Sequence, residues 1–384
     1  MSDRHRRLAF TEDGFGMSTH LATEWNPVQR VAAAKTVTVG VFPGEGIGPE
    51  IVAITERVLR LLESRGLFEV RLSHGGLIGM EARNACGADL PDEAVQFAED
   101  VFSAGGAILA GAGGGRFVYD MRRKFDLFLK LNPLRRLRGA VPARREFDIL
   151  VVRDNREGLY QGDSTVEMSA GDQRVSHTFY SSSRAVDDVT DRAARLAVTR
   201  RGHLTVVAKE SGIPAISKLW RDSGEAAGAR HGVTVKFLEM DYAVYLLMRD
   251  PAMFDVIAVP NCFGDILSDL GGVLMGSRGA TFGGSYDLSG RAVYQTNHGA
   301  AYDLKGAGTA NPAGQILSLA MMLRESFGHG QVATLIESAV EDAWSAGWCT
   351  FDMEEIHGQP RRVCGTQVFA AEVEKNLMAR MDRT

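Results

Sequence analysis

The chain switches repeatedly between short continuous apolar runs and longer stretches in which apolar residues recur every three to four positions. Residues 36–42, TVTVGVF, are β-branched and few, which predicts a strand. A glycine-rich turn follows. PEIVAITERVLRLLESRG then places apolar residues at helical spacing and ends on a glycine stop, so a strand–loop–helix unit is expected. The same patterns predict a helix over LPDEAVQFAEDVF. They predict buried strands over 106–112 (GAILAGA), 147–155 (FDILVVRDN), 203–211 (HLTVVAKES) and 254–261 (FDVIAVPN). FDLFLKLNP alternates with period two, so Lys130 and Asn132 share one strand face. NCFGDILSDL (261–270) reads as a helix start. AGQILSLAMMLRESFG and QVATLIESAVEDAWSAG read as two amphipathic helices.

Strands alternating with helices predict an α/β fold, with functional residues at the carboxyl ends of strands. No repeat, low-complexity tract or obvious linker divides the chain, so its domains are expected to interleave. The 384 residues, 45% hydrophobic and 24% charged, suffice for two domains or one interwoven unit. A net charge of -5 carries no basic bias, so nucleic acid is not an expected partner. No apolar run reaches the roughly 18 residues of a membrane span. Residues 1–35 contain acids and lack an apolar signal core, and are expected to form a flexible or loosely docked arm. Cys86, Cys262, Cys349 and Cys364 show no CxxC spacing, which fits reduced thiols in a cytoplasmic protein.

Several stretches carry candidate chemistry. GEGIGPE (44–50) has G-x-G-x-G spacing rather than the dinucleotide fingerprint, so a tight strand-to-helix turn is favoured over a Rossmann site. The basic run 121–137 is either a solvated surface or, through Arg122 and Lys130, a carboxylate receptor. Arg153 ends a strand and suits an acid. Tyr160 is a proton donor or a packed tyrosine. Lys209 directly follows LTVVA, where partial desolvation would lower its pKa and make it a base. The plainer reading is a lysine marking the strand's exit to water. Asp265 and Asp269 lie four apart on one helical face of an otherwise apolar stretch. Such a pair marks a solvated edge or a cation. With Asp241, at the start of another apolar helix, it makes three carboxylates suited to Mg²⁺ or Mn²⁺. NHGAAYDLKGAGTANP (297–312) is rich in small residues and predicts a nucleotide loop.

In this order, from about residue 36 to 370, these segments resemble the isocitrate/isopropylmalate dehydrogenase family of β-decarboxylating dehydrogenases. GEGIGPE is similar to that family's G-D-G-I-G-P-E, and NCFGDILSDL to its N-x-F-G-D-I-L-S-D. HGAAYDLKGAGTANP matches its H-G-x-A-x-D-x-x-G-x-G-x-A-N-P without a gap, and CGTQVF resembles its G-T-x-x-F. The resemblance implies two interleaved α/β domains around a large mixed sheet, not a standard Rossmann fold. A nucleotide-binding domain would span 36–127 plus 276–384, and a substrate, metal and dimerisation domain 128–275. It implies a homodimer with shared active sites acting on a small hydroxy acid.

The roles implied by the resemblance fall on matching positions. Asp265 and Asp269, with Asp241 of a second copy, would hold Mg²⁺ or Mn²⁺. Arg122 and Arg153 would bind carboxylates, Lys209 of the second copy would be the base, and Tyr160 would protonate the enol. His298, Gly299, Ala300, Asp303 and Asn311 would bind NAD, with Asp303 favouring a free 2′-hydroxyl over a phosphate. The sequence departs from the family where its second substrate arginine is Asn132, with Lys130 beside it to supply charge. Arg116 aligns with the serine that binds isocitrate's distal carboxylate, and Val118 and Tyr119 with leucines that cradle an isopropyl group. These departures imply a 3-substituted malate with a polar or anionic distal group. A tartrate- or malate-type dehydrogenase without obligatory decarboxylation, and a non-catalytic regulatory subunit, stand as alternatives.

Overall fold

The computed structural model describes residues 32–141, 146–356 and 361–383. Of the expected arm, 1–31 lie outside the described residues. Ala34 is docked, its backbone bonded to Phe327 and to the His329 ring.

One ten-stranded sheet runs through the molecule. In chain order the strands are β1 (Thr36–Phe42), β2 (Glu69–His74), β3 (Ala107–Ala110), β4 (Leu129–Arg135) and β5 (Asp148–Asp154). A separate hairpin, β6 (Asp163–Ser169) and β7 (Asp172–Thr178), comes next. It is followed by β8 (His203–Ala208), β9 (Thr234–Glu239), β10 (Val256–Val259), β11 (Phe282–Tyr286) and β12 (Ala292–Thr296). The spatial order is β2-β1-β3-β12-β11-β4-β5-β10-β8-β9. The first four are mutually parallel, and so are the last four. Between them β11 and β4 pair antiparallel with each other and with their outer neighbours. The two parallel blocks therefore run in opposite senses and meet at an antiparallel centre. This is the large mixed sheet expected, and not a Rossmann order. The short apolar runs became fully buried parallel strands such as β3 and β10, because helices cover both faces.

The helices are α1 (Gly48–Ser64), α2 (Gly79–Cys86), α3 (Asp92–Ser103), α4 (Phe117–Lys124), α5 (Ser183–Val198) and α6 (Pro214–His231). They continue with α7 (Met240–Arg249), α8 (Asn261–Met275), α9 (Ala313–Glu325), α10 (Gly330–Ser345) and α11 (Thr366–Met381). The GEGIG stretch is a tight turn, with Gly44 at φ 80 and Gly46 at φ 58. A Cβ on Gly46 would lie 1.9 Å from the Ala300 carbonyl oxygen, so glycine is required for the close approach. One expectation fails: α9 is not amphipathic, since every residue in it is buried. It lies against β11 and β12 and is covered by α1 and α10. Two of its polar side chains donate inside the core, the Gln315 amide to the Ala110 carbonyl and the Ser318 hydroxyl to that of Gly314. Among the described residues no helix is long and apolar enough to cross a membrane.

Candidate active site

The antiparallel centre of the sheet positions the charged groups. Lys130 on β4 stands directly opposite Arg153 on β5, so strand register alone sets two cations side by side. Facing them are α4, which carries Val118, Tyr119 and Arg122, and α8, which carries Asp265 and Asp269. All seven line one cavity of about 200 Å³, together with Arg278, Asn297, His298 and Gly299.

Arg153 is 2% exposed and is held from two sides. Its Nε and Nη2 donate to Asn261 Oδ1 at 3.1 and 2.8 Å, and its Nη1 donates to Asp265. Gly264, between Asn261 and Asp265 on α8, leaves room for the arginine stem; a Cβ there would lie 2.8 Å from Arg153 Cγ. The other Asp265 oxygen accepts the Tyr160 hydroxyl at 3.1 Å. Asp269 accepts Arg278 Nη2 at 2.9 Å. Each carboxylate of the i,i+4 pair thus faces a guanidinium. Burial works to raise the Asp265 carboxyl, but the Arg153 charge and hydrogen bond hold it below the ordinary range. Asp269 is raised, by burial first and then by the like charge of Asp265 beyond what Arg278 offsets.

The cations are less well compensated. Burial first, then the charge of Arg153, pushes Arg122 down to about 9. Burial and the charges of Arg122 and Arg153 drive Lys130 well below its ordinary value. Among the described residues Arg122 Nε has no hydrogen-bond partner. Buried cations left without a full set of acceptors form a receptor for an anion. Tyr119 sits between the guanidiniums of Arg116 and Arg122, at 5.4 and 5.5 Å, with its ring edge-on to Tyr160 at 5.5 Å. Burial, Cys262 and Asp265 raise the Tyr160 phenol well above its usual value.

Three expected substrate or base positions differ from this picture. Asn132 is fully buried and donates to Asn297 Oδ1 at 2.7 Å behind the cavity wall, so Lys130 presents the charge on this strand. Arg116 does not line the cavity; it is half-exposed and 3.7 Å from Asp120. Lys209 is not desolvated. It is partly exposed, and its Nζ donates to Asp241 at 2.7 Å and Glu239 at 2.6 Å, which raises its pKa and fits the plainer reading of a lysine at the strand's exit rather than a desolvated one. The strand ends at Ala208, one residue before it, so its amine has already left the sheet.

Neither Lys209 nor Asp241 lines the cavity. Among the described residues no three potential ligands gather at one point within the chain. Asp265 and Asp269 do fit a hard cation. They offer adjacent carboxylate oxygens, half-buried at a cavity edge, with guanidiniums now supplying the positive charge.

A second cavity of about 550 Å³ shares Arg278, His298 and Gly299 with the first and extends along Asp303, Asn311, Ile47 and Asp352. Its small-residue loop uses left-handed backbone at Ala301, Gly306 and Gly308. His298 Nε2 has no partner among the described residues, and burial lowers its pKa, so a neutral imidazole borders both cavities. Ala300 does not line this cavity; its carbonyl accepts the Ile47 N–H at 2.9 Å and holds the loop against the GEGIG turn. The cavity's size, its exposed Asp303 and its small-residue wall suit a dinucleotide bearing a free 2′-hydroxyl. Sequence reasoning missed Arg278, Asn261 and Asn297. Arg278 follows the left-handed Gly276 that ends α8, a stop signal that turns the chain back toward Asp269.

The family model for isocitrate/isopropylmalate dehydrogenase matches residues 38–373. The 3-isopropylmalate dehydrogenase of Heyndrickxia coagulans is 33% identical over 342 residues, covering 84% of this chain and 92% of its own. That of Carboxydothermus hydrogenoformans is 36% identical over 341 residues, covering 82% and 88%. The crystal structure of isocitrate dehydrogenase from Methylococcus capsulatus superimposes with a TM-score of 0.79 at 26% identity, covering 89% of this chain and 99% of its own. The chain belongs to the isocitrate/isopropylmalate dehydrogenase family, NAD-dependent decarboxylating dehydrogenases that act on a CH–OH group and use Mg²⁺ or Mn²⁺.

Proposed function

We propose that this enzyme oxidatively decarboxylates a 3-substituted malate whose distal group is polar or anionic rather than isopropyl. One observation carries the reading. Arg122, Lys130 and Arg153 converge with Asp265 and Asp269 on a single cavity that shares Arg278, His298 and Gly299 with the small-residue nucleotide cavity. Among the described residues Val118 is the only branched aliphatic side chain on that lining, which gives an isopropyl group little to pack against. The relatives named for isopropylmalate make this a departure within the family.

Arg122, Lys130 and Arg153 hold the malate carboxylates by charge-assisted hydrogen bonds. Asp265 and Asp269 would hold the divalent cation, with Asp241 supplied by a second copy. When bound, NAD would supply the hydride acceptor and the divalent cation a Lewis acid for the substrate hydroxyl and its neighbouring carboxylate. Lys209 of the second copy is the proposed base; to take the hydroxyl proton its amine must lose the hold of Asp241 and Glu239, which raise its pKa within the single chain. Tyr160 carries its proton at neutral pH, as a phenol with an ordinary or raised pKa does, and would deliver it after CO₂ leaves. His298, Gly299, Asp303 and Asn311 border the nucleotide.

The shared site rests on two features. Asp241 is exposed beside Lys209 on α7. The outer faces of α7 and α8 carry exposed Tyr242, Tyr245, Ile266 and Val273, and the β6–β7 hairpin exposes Val166, Met168 and Val175. A second copy of this chain, related by a two-fold axis, is the occupant that would bury these faces and bring Asp241 to the Asp265–Asp269 pair. Residues 36–127 plus 276–384 then serve the nucleotide, and 128–275 the substrate, metal and dimer contact. The free cysteines fit a cytoplasmic setting.

The test is NADH formation and CO₂ release by the purified protein with Mn²⁺ and NAD. The acids are isopropyl-, carboxymethyl-, carboxyethyl- and phosphonomethyl-malate, and tartrate. Turnover favouring a polar or charged substituent, with CO₂ in step with NADH, supports the proposal. NADH without CO₂ would favour a tartrate-type oxidation, and preference for the isopropyl acid would overturn the distal-group reading.

A further inference from the structure

Glu45 belongs to none of the groups above, yet it is 1% exposed and joins three separate segments. Its Oε1 accepts the backbone N–H of Glu81 in the first turn of α2. Its Oε2 accepts the Gly114 N–H at 2.7 Å and the Tyr302 hydroxyl at 2.8 Å. Gly114 lies in the 111–116 loop that leads into α4, and its neighbours Gly113 and Gly115 line the substrate cavity. Tyr302 lies in the turn that carries Asp303 to the nucleotide cavity. Asp89 holds the far end of the same substrate loop by accepting the Arg116 N–H, so the loop is pinned at Gly114 and Arg116.

The surroundings are shaped to the carboxylate. A Cβ on Gly79 or Gly114 would lie 2.6 or 2.8 Å from Glu45 Oε2. The Glu45 N–H donates to Ala112 at 2.7 Å, and Lys305 in the nucleotide loop pairs with the Glu81 carboxylate at 3.0 Å. The family pattern given above has aspartate at position 45 and no fixed residue at 302. Glutamate reaches one methylene further, and a phenol at 302 meets it.

We propose that Glu45 is a positioning residue that ties the nucleotide loop to the substrate loop through Tyr302, so that binding at either site strengthens binding at the other. The inference rests on the assignment of the two cavities above. A nucleotide seated on the 298–311 loop orders the Tyr302 turn. The Tyr302–Glu45–Gly114 bridge passes that order to the loop preceding Val118, Tyr119 and Arg122. Binding free energies linked this way are reciprocal.

The experiment is NADH fluorescence titration of the Mn²⁺-loaded protein, with and without malate as the unsubstituted parent acid. In wild type, malate is expected to tighten NADH binding by about 5-fold or more. Tyr302→Phe removes the donor and keeps the ring. It should hold Tm within about 2 °C, lower the malate effect to below about 2-fold, and raise KM for the hydroxy acid although residue 302 does not line the substrate cavity. Glu45→Gln sets an NH₂ against the Glu81 or the Gly114 N–H in either amide orientation, and should lose the coupling as well. Wild-type coupling retained in Tyr302→Phe, or no coupling in wild type, overturns the bridge alone. Failure of wild type to bind NADH overturns the nucleotide assignment and the bridge together.

Discussion

Replacing Lys130 by methionine tests the central electrostatic argument, because stability and activity should move in opposite directions. Lys130 is 3% exposed and stands opposite Arg153 with Arg122 nearby, so charging it in the folded protein is unfavourable. Methionine keeps the length and apolar body of the stem and removes the charge. Exchanging buried charge for a well-packed apolar side chain is typically neutral or stabilising by about 1–4 kcal/mol. The pH dependence gives a sharper signature. The folded pKa lies below the ordinary 10.5, so between the two values the unfolded chain binds more protons. Stability must then rise with pH across that window, with a slope from this residue of up to about 1.4 kcal/mol per pH unit. Below both values its destabilising effect is present in full. Urea midpoints of wild type and Lys130→Met, measured without substrate from neutral to alkaline pH, should converge as pH rises. With substrate the sign reverses. Loss of a charge-assisted hydrogen bond of about 1.5–3 kcal/mol lowers kcat/KM by roughly 10- to 150-fold. A variant less stable than wild type at neutral pH, with kcat/KM unchanged, would refute the reasoning.

Three further outcomes are expected. Asp265→Asn should abolish most of the thermal stabilisation that Mn²⁺ gives the wild-type protein; a Mn²⁺ shift equal to wild type would remove Asp265 from the metal site. Tyr160→Phe should leave KM nearly unchanged and lower the rate of CO₂ release by about 10²–10⁴-fold, the range for a lost general acid. Full activity would assign the proton elsewhere. Burial raises the Asp154 carboxyl to about 7. Because its folded value exceeds its unfolded one, the destabilisation is absent at low pH and grows as pH rises toward 7, reaching on the order of 4 kcal/mol. Asp154→Asn should therefore gain more in melting temperature at pH 8 than at pH 5, and an equal gain at both would count against the assignment.

The local features were legible because they depend on neighbours in sequence. The β-branched run of β1, the glycines of the following turn and the helical spacing of α1 are all local. Asp265 and Asp269 are on one face because a helix places i and i+4 there. The exposed β6–β7 hairpin escaped notice, since it buries too little apolar surface to impose an inward-facing pattern. The all-buried α9 was read as amphipathic because its few polar residues mimic a wet face while bonding inside the core.

Sequence by itself determined the α/β class, the motifs that mark the family, and the types of charged residue that would do the chemistry. Only tertiary structure decided which of those charges meet. Arg153 and Asp265, 112 residues apart, meet because β10 pairs with β5 and the helix that follows it, α8, packs against β5. Lys130 became a buried charge lining the cavity and Asn132 a partner of Asn297 behind its wall, though both lie on the same strand face. Lys209 gained two carboxylates, and Glu45 gained donors from three segments. A pKa or a carboxylate receptor depends on desolvation and on charges a few ångströms away in space, and those distances exist only once the sheet's antiparallel centre has formed.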